Sequence, residues 1–139
     1  MTCAHAAAGG HLGVLQWARE NGCPWSEWTC AYAAEHGQLE MLKWLRANGC
    51  PWDKKTCEGA AGWGHLGVLQ WAHENGCPWK STTWLWAAEN GHVDILQYLR
   101  ANGCPRNDPL LLSTAAVSST ATVYRQLEVL RWLNENVGE

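Results

Sequence analysis

The sequence predicts an all-α solenoid, built from stacked helix-turn-helix repeats joined by short loops. Three observations carry this. Cys-Pro pairs begin at Cys23, Cys50, Cys77 and Cys104, each 27 residues after the last. The same step carries Thr2 to Thr29, Thr56 and Thr83, Gly10 to Gly37, Gly64 and Gly91, and Leu15 to Leu42, Leu69 and Leu96. Each unit splits at its mid-unit glycine into two helical segments, and the stretch between units is too short for two strands. A fixed period across this many columns marks an array of one structural unit.

The first helix of a unit is read from the threonine to just before the glycine, as in Thr29-Cys-Ala-Tyr-Ala-Ala-Glu-His-Gly37. Threonine is a good N-cap, because its hydroxyl accepts a free first-turn N–H. Glycine suits the left-handed turn that ends a helix. The second helix is HLGVLQWARENG at 11–22 and its copies. Leu12, Leu15 and Ala18 form one helical stripe, which Val14 and Trp17 broaden toward the core. Asn21-Gly22 closes this helix, and Pro24 stops it resuming. Trp17, Trp44, Trp71 and Trp132 are expected in or near the core. Trp25, Trp52 and Trp79 follow the prolines and are read as lids over the shortened turns. A ligand-stacking ladder is the sharper reading of the same column.

The units run approximately 2–28, 29–55, 56–82, 83–108 and 109–139, forming a single repeat domain over 1–139. The fifth unit departs from the rest. LEVLRWL at 127–133 matches LEMLKWL at 39–45, which places an insertion of seven residues before it, in VSSTATVYRQ. The capping Thr, the Gly and the Cys are lost there, with Leu110 at the Thr position. The first unit is also atypical, with a small, Ala-rich opening helix. Both ends read as caps.

Composition narrows the function. The chain has 139 residues, 47 % of them hydrophobic, and a formal net charge of −3. No basic run marks a nucleic-acid binder. No apolar stretch is long enough to span a bilayer. The N-terminal MTCAHAAAGGHLG lacks the basic start and apolar middle of a signal peptide. The expected compartment is the cytoplasm or the nucleus. Seven cysteines, an odd number, exclude a fully paired framework within one chain. Eleven Trp and no Phe mean that indole supplies the large rings.

The cysteine columns raise metal and redox chemistry. Antiparallel helices would bring Cys3 near Cys23, Cys30 near Cys50 and Cys57 near Cys77. That gives two thiols per level and no third ligand, where structural zinc needs four. No metal, cofactor or native disulfide is expected; the thiols read as small buried apolar groups. No enzyme is expected either. The acids are scattered, with Glu20, Glu74 and Glu89 read as solvated surface, and no Ser or Cys has an activating neighbour in the pattern. His11, His65 and His92 recur as turn residues. A repeat gives one residue many times, whereas a catalytic site needs different residues converging once.

Thr2-Cys-Ala-His5-Ala-Ala7 resembles the Thr-Pro-Leu-His-x-Ala signature of ankyrin repeats, and GHLGVLQWARENG at 10–22 resembles their second helix. The resemblance covers essentially the whole chain and is weakest over 109–126. Ankyrin units normally have about 33 residues. The deficit falls between Gly22 and Thr29, where the long form builds a β-hairpin and this chain has CPWSEW. The array therefore resembles a hairpin-less ankyrin variant. The signature His survives only at His5, with Tyr32, Gly59 and Trp86 in its column.

The resemblance implies a non-catalytic protein-interaction scaffold. Ankyrin partners meet the residues before the Thr, those before the mid-unit Gly, and the end of the second helix. Carried over, the partner-binding residues are Trp28, Glu35, His36, Lys54, Lys55, Trp63, Lys80, Glu89 and Asn90. These columns vary while their neighbours repeat. Trp28, Trp63, Trp84 and Trp86 break the repeat and suit specificity. The partner is expected to be another protein, met by a monomer, with no nucleic acid or membrane. The alternatives are a metal- or redox-responsive module using the Cys columns, and a structural spacer within a larger protein.

Overall fold

The computed structural model describes residues 3–105. The fifth unit, with Leu110, Trp132, the 127–133 helix and the insertion, lies outside the described residues. So does Arg106, which ends the Trp25 column.

Eight helices run in pairs among the described residues, with no strand. They are α1 (Cys3–Ala8), α2 (Leu12–Glu20), α3 (Glu27–Glu35), α4 (Leu39–Ala47), α5 (Lys54–Gly62), α6 (Leu66–Glu74), α7 (Ser81–Glu89) and α8 (Val93–Ala101). The odd-numbered helices stack in a row, each on the next, and each also packs on the even-numbered helix that follows it. The row is built from small residues. Ala6, Ala7, Ala33, Ala34, Ala60, Ala61, Ala87 and Ala88 are all buried, so the backbones approach closely. Leu15, Leu42, Leu69 and Leu96 are fully buried behind them. Each contributes about 1.5–3 kcal/mol relative to exposure.

The even-numbered helices end in one repeated device. At α2, Cys23 N–H donates to Ala18 O at 2.9 Å and Gly22 N–H to Arg19 O at 3.1 Å. This is a Schellman ending, and it needs a left-handed residue, which Gly22 supplies at φ 84°. Asn21 caps the same turn by donating its Nδ2 to Trp17 O at 2.8 Å. Asn48, Asn75 and Asn102 repeat that bond. The Asn-Gly-Cys of each repeated pentapeptide is thus a helix ending.

Two expectations are corrected. Threonine is not the N-cap: α3, α5 and α7 each start two residues before it. Ser26 and Asp53 are the caps, accepting from Trp28 N–H and Lys55 N–H. Thr29 and Thr83 are buried one turn in, and their hydroxyls accept the N–H of Ser26 at 3.1 Å and of Lys80 at 3.3 Å. The reason is the short connection, which lets the helix begin as soon as the Trp of Cys-Pro-Trp is placed. Val14 and Trp17 do not join the core either; they are 43 % and 65 % exposed. Their column-mates Met41 and Val68 are buried, and Trp44 and Trp71 half-buried, because a preceding unit covers that flank. No described unit covers it at α2.

Candidate functional site

Each of the three unit boundaries at Trp25, Trp52 and Trp79 carries an aromatic sandwich. The ring of Trp25 stands edge-on to Trp44 of the next unit, with centroids 6.0 Å apart. Its face is covered by the guanidinium of Arg19, 4.0 Å from the ring centre. Arg19 Nη1 also donates to Cys23 O at 2.8 Å, pinning the turn. Arg46, Trp52 and Trp71 repeat the arrangement. At the third boundary His73 replaces the arginine, stacked 3.7 Å from Trp79, which stands edge-on to Tyr98. Trp25, Trp52 and Trp79 are therefore packed lids, and their faces are already occupied by the protein's own side chains.

His65 and His92 are stays between units. His65 Nε2 is bonded to Glu35 O at 2.8 Å, and His92 Nε2 to Gly62 O at 3.1 Å. Each ring lies over the mid-unit glycine of the preceding unit. A Cβ at Gly37 would meet His65 Cε1 at 2.8 Å, and a Cβ at Gly64 would meet His92 Cε1 at 2.8 Å. Gln38 takes the same place over Gly10.

The cysteine columns meet as their antiparallel placement requires. Cys3 Sγ is bonded to Cys23 O at 3.6 Å, Cys30 Sγ to Cys50 O at 4.0 Å and Cys57 Sγ to Cys77 O at 4.0 Å. All seven are free thiols. Burial pushes the Cys3 and Cys104 thiols up to about 12. The thiol–thiol hydrogen bonds to Cys50 and Cys77, and then burial, push Cys30 and Cys57 up. The same bond holds Cys50 below the ordinary range. Among the described residues no three His, Cys, Asp or Glu side chains gather as metal ligands would.

The varied columns of the odd-numbered helices form a different kind of surface. Trp28, Ala31 and Glu35 of α3, Lys54, Lys55, Glu58 and Gly59 of α5, Trp63 just after α5, and Trp86 of α7 line one groove of about 380 Å³. Trp28, Trp63 and Trp86 are 52 %, 65 % and 47 % exposed. The groove exists because Gly59 stands in the column that holds Tyr32 and Trp86 in the flanking units. A Cβ at Gly59 would meet Glu35 Cγ at 2.9 Å and Ala31 O at 3.2 Å, so the floor has no space for a side chain.

The groove's charges are mostly matched. Lys55 Nζ lies 2.7 Å from Asp53 Oδ2, and Lys54 Nζ 3.7 Å from Glu58 Oε1. The Thr82 hydroxyl donates to Glu58 as well. Burial works against the Asp53 carboxylate, but the hydrogen bonds from Lys55 outweigh it and hold its pKa below the usual range. Lys55 Nζ also lies 5.1 Å from the Trp28 ring centre.

Of the residues singled out in the sequence, Trp28, Glu35, Lys54, Lys55 and Trp63 converge on this groove. Glu89, Asn90, His36 and Lys80 do not line it. His36 is exposed at the end of α3, its Nδ1 3.0 Å from Tyr32 O. Asn90 ends α7 and donates to Trp86 O at 2.8 Å. Glu89 is half-buried on the last turn of α7, and Lys80 is exposed just before that helix. Trp84 is a correction: it is 1 % exposed and belongs to the core. Glu58, Ala31 and Gly59 were not anticipated, although their columns vary from unit to unit.

Residues 3–46 match the family model for ankyrin repeats (many copies). Comparison with curated proteins finds no match. Ankyrin repeats are in general protein-interaction modules without catalytic activity. No described helix is long and apolar enough to cross a membrane. The matched stretch holds the first unit and most of the second, and the 27-residue step repeats its positions through Cys104 on helix pairs of the same build. Over residues 3–46 the chain thus matches ankyrin repeats, and the same helix pairs, joined by Cys-Pro-Trp turns with no strand, continue through the described residues.

Proposed function

We propose that this chain is a non-catalytic binding module that holds a partner protein, as a monomer, in the groove across α3, α5 and α7. The observation that carries the reading is the clustering of three large exposed rings around a floor of Ala31 and Gly59. Large rings around a small-residue floor form the anchor pocket that dominates many interfaces. The tryptophans at the unit boundaries face the protein itself and are no part of it. Lys54 and Lys55 border the groove and belong to its polar rim. His36, Lys80, Glu89 and Asn90 are peripheral in this reading.

The test compares proteins captured from a cell extract by the wild type and by Trp28→Ala/Trp63→Ala, scored by quantitative mass spectrometry. Both rings are mostly solvent-facing, so the variant keeps its helical circular dichroism. Partners seated in the groove fall at least about thirtyfold in retention, as truncating a hot-spot Trp costs about 2 kcal/mol or more. Partners retained equally by both proteins would place the binding surface elsewhere.

A further inference from the structure

We propose that the groove recognises an arginine side chain of its partner, stacked against Trp63 and Trp86 and paired with Glu35. The inference rests on the protein-binding reading above and names the chemistry that the groove selects.

Charge matching singles out Glu35. Lys55 is paired with Asp53 and Lys54 with Glu58, and Thr82 adds a hydrogen bond to Glu58. The Glu35 carboxylate has no ion-pair partner among the described residues, although it lines the groove over the bare floor at Gly59. Of the groove's three rings, Trp28 already has a cation, the Lys55 ammonium. Among the described residues none stands over Trp63 or Trp86. The groove therefore offers two exposed indoles with no cation over them and one unmatched carboxylate. A purely apolar ligand would bury that carboxylate unpaired, which costs free energy. An anionic ligand would meet lysines that are already neutralised.

The rest of the chain shows what this protein places on an indole face. Arg19 and Arg46 each lay a guanidinium 4.0 and 4.3 Å from a Trp ring centre, while the same group donates to a neighbouring carbonyl. Arginine suits the groove better than lysine for the same reason. Its planar group stacks on a ring while its N–H fork meets a carboxylate, whereas an ammonium does neither as well.

The experiment selects a displayed library of random peptides on the full chain and measures the recovered peptides by fluorescence anisotropy. Arginine is expected to be enriched. Replacing it by methionine in a recovered peptide should weaken binding about tenfold or more. Glu35→Gln should weaken the arginine peptide about fivefold and leave its methionine form unchanged, and Trp63→Ala should remove binding. Peptides that depend on Trp63 but bind equally well with methionine would overturn the arginine and leave the groove standing. An arginine preference untouched by Glu35→Gln would overturn the pairing assigned here. Recovery of no Trp63-dependent peptide would overturn both this inference and the reading beneath it.

Discussion

Thr29, Thr56 and Thr83 hold one buried position but not one bond. The hydroxyls of Thr29 and Thr83 accept a cap N–H, whereas Thr56 Oγ1 is buried with no partner. A buried polar atom left unpaired costs about 1–3 kcal/mol, while a made hydrogen bond contributes about 1 kcal/mol. The same substitution should therefore have different effects at two sites of one column. Thr29→Val is expected to destabilise by about 1 kcal/mol, since it strands the Ser26 N–H. Thr56→Val keeps the shape, removes an unpaired oxygen, and should be neutral or stabilising. Urea unfolding midpoints of the two variants decide this, and equal losses would contradict it.

At the scale of the element, the helix starts show how far the sequence could be read. The helix ends were legible, because left-handed glycine and the following proline leave few alternatives. The starts were misplaced because the threonine repeats and the true cap varies, through Ser26, Asp53 and Lys80. A repeated threonine looks like a cap when it is the buried partner of the cap's own N–H. Lysine has no acceptor, so α7 begins without the side-chain bond that Ser26 and Asp53 supply. Lys80→Asp should therefore stabilise by about 1 kcal/mol, read as a raised thermal midpoint. No gain would mean that the Thr83 bond already satisfies this helix start. The site was partly legible for a related reason. Columns that vary pointed to Trp28, Glu35, Lys54, Lys55 and Trp63, but variation does not say which way a side chain faces. Trp84 and Trp86 both break the repeat, yet one is core and one lines the groove. The column of Trp84 held the missing signal, since it is that of Cys3, Cys30 and Cys57, all buried. Glu58 and Gly59 shape the groove only through contacts with α3 and α7, which no single unit's sequence displays.

At the scale of the whole molecule, the odd-numbered helices of the described units stack each on the next, and the cysteines form a seam through those units. Beyond the pairs within units, Cys50 Sγ bonds to Ser26 O at 3.6 Å, Cys77 Sγ to Asp53 O at 3.4 Å and Cys104 Sγ to Lys80 O at 3.6 Å. Each of these three thiols thus ties its turn to the turn before it, and the seam works only while the thiols keep their protons. That makes stability depend on alkaline pH. Below the ordinary thiol pKa of about 9 both folded and unfolded chains are protonated, and the seam contributes fully. Above it the unfolded chain releases protons that Cys3, Cys30, Cys57 and Cys104 retain in the fold, because their pKa values are raised. The unfolded state then binds fewer protons, so stability falls as pH rises, by up to about 1.4 kcal/mol per pH unit for each such thiol. Cys50, held lower, acts in the opposite direction and offsets part of one contribution. In reducing buffer the urea midpoint should drop between about pH 8 and about pH 10. Cys30→Ala/Cys57→Ala should start less stable and lose visibly less over the same interval. A midpoint that stays level for the wild type, or falls equally for both proteins, would remove the thiol seam as the cause.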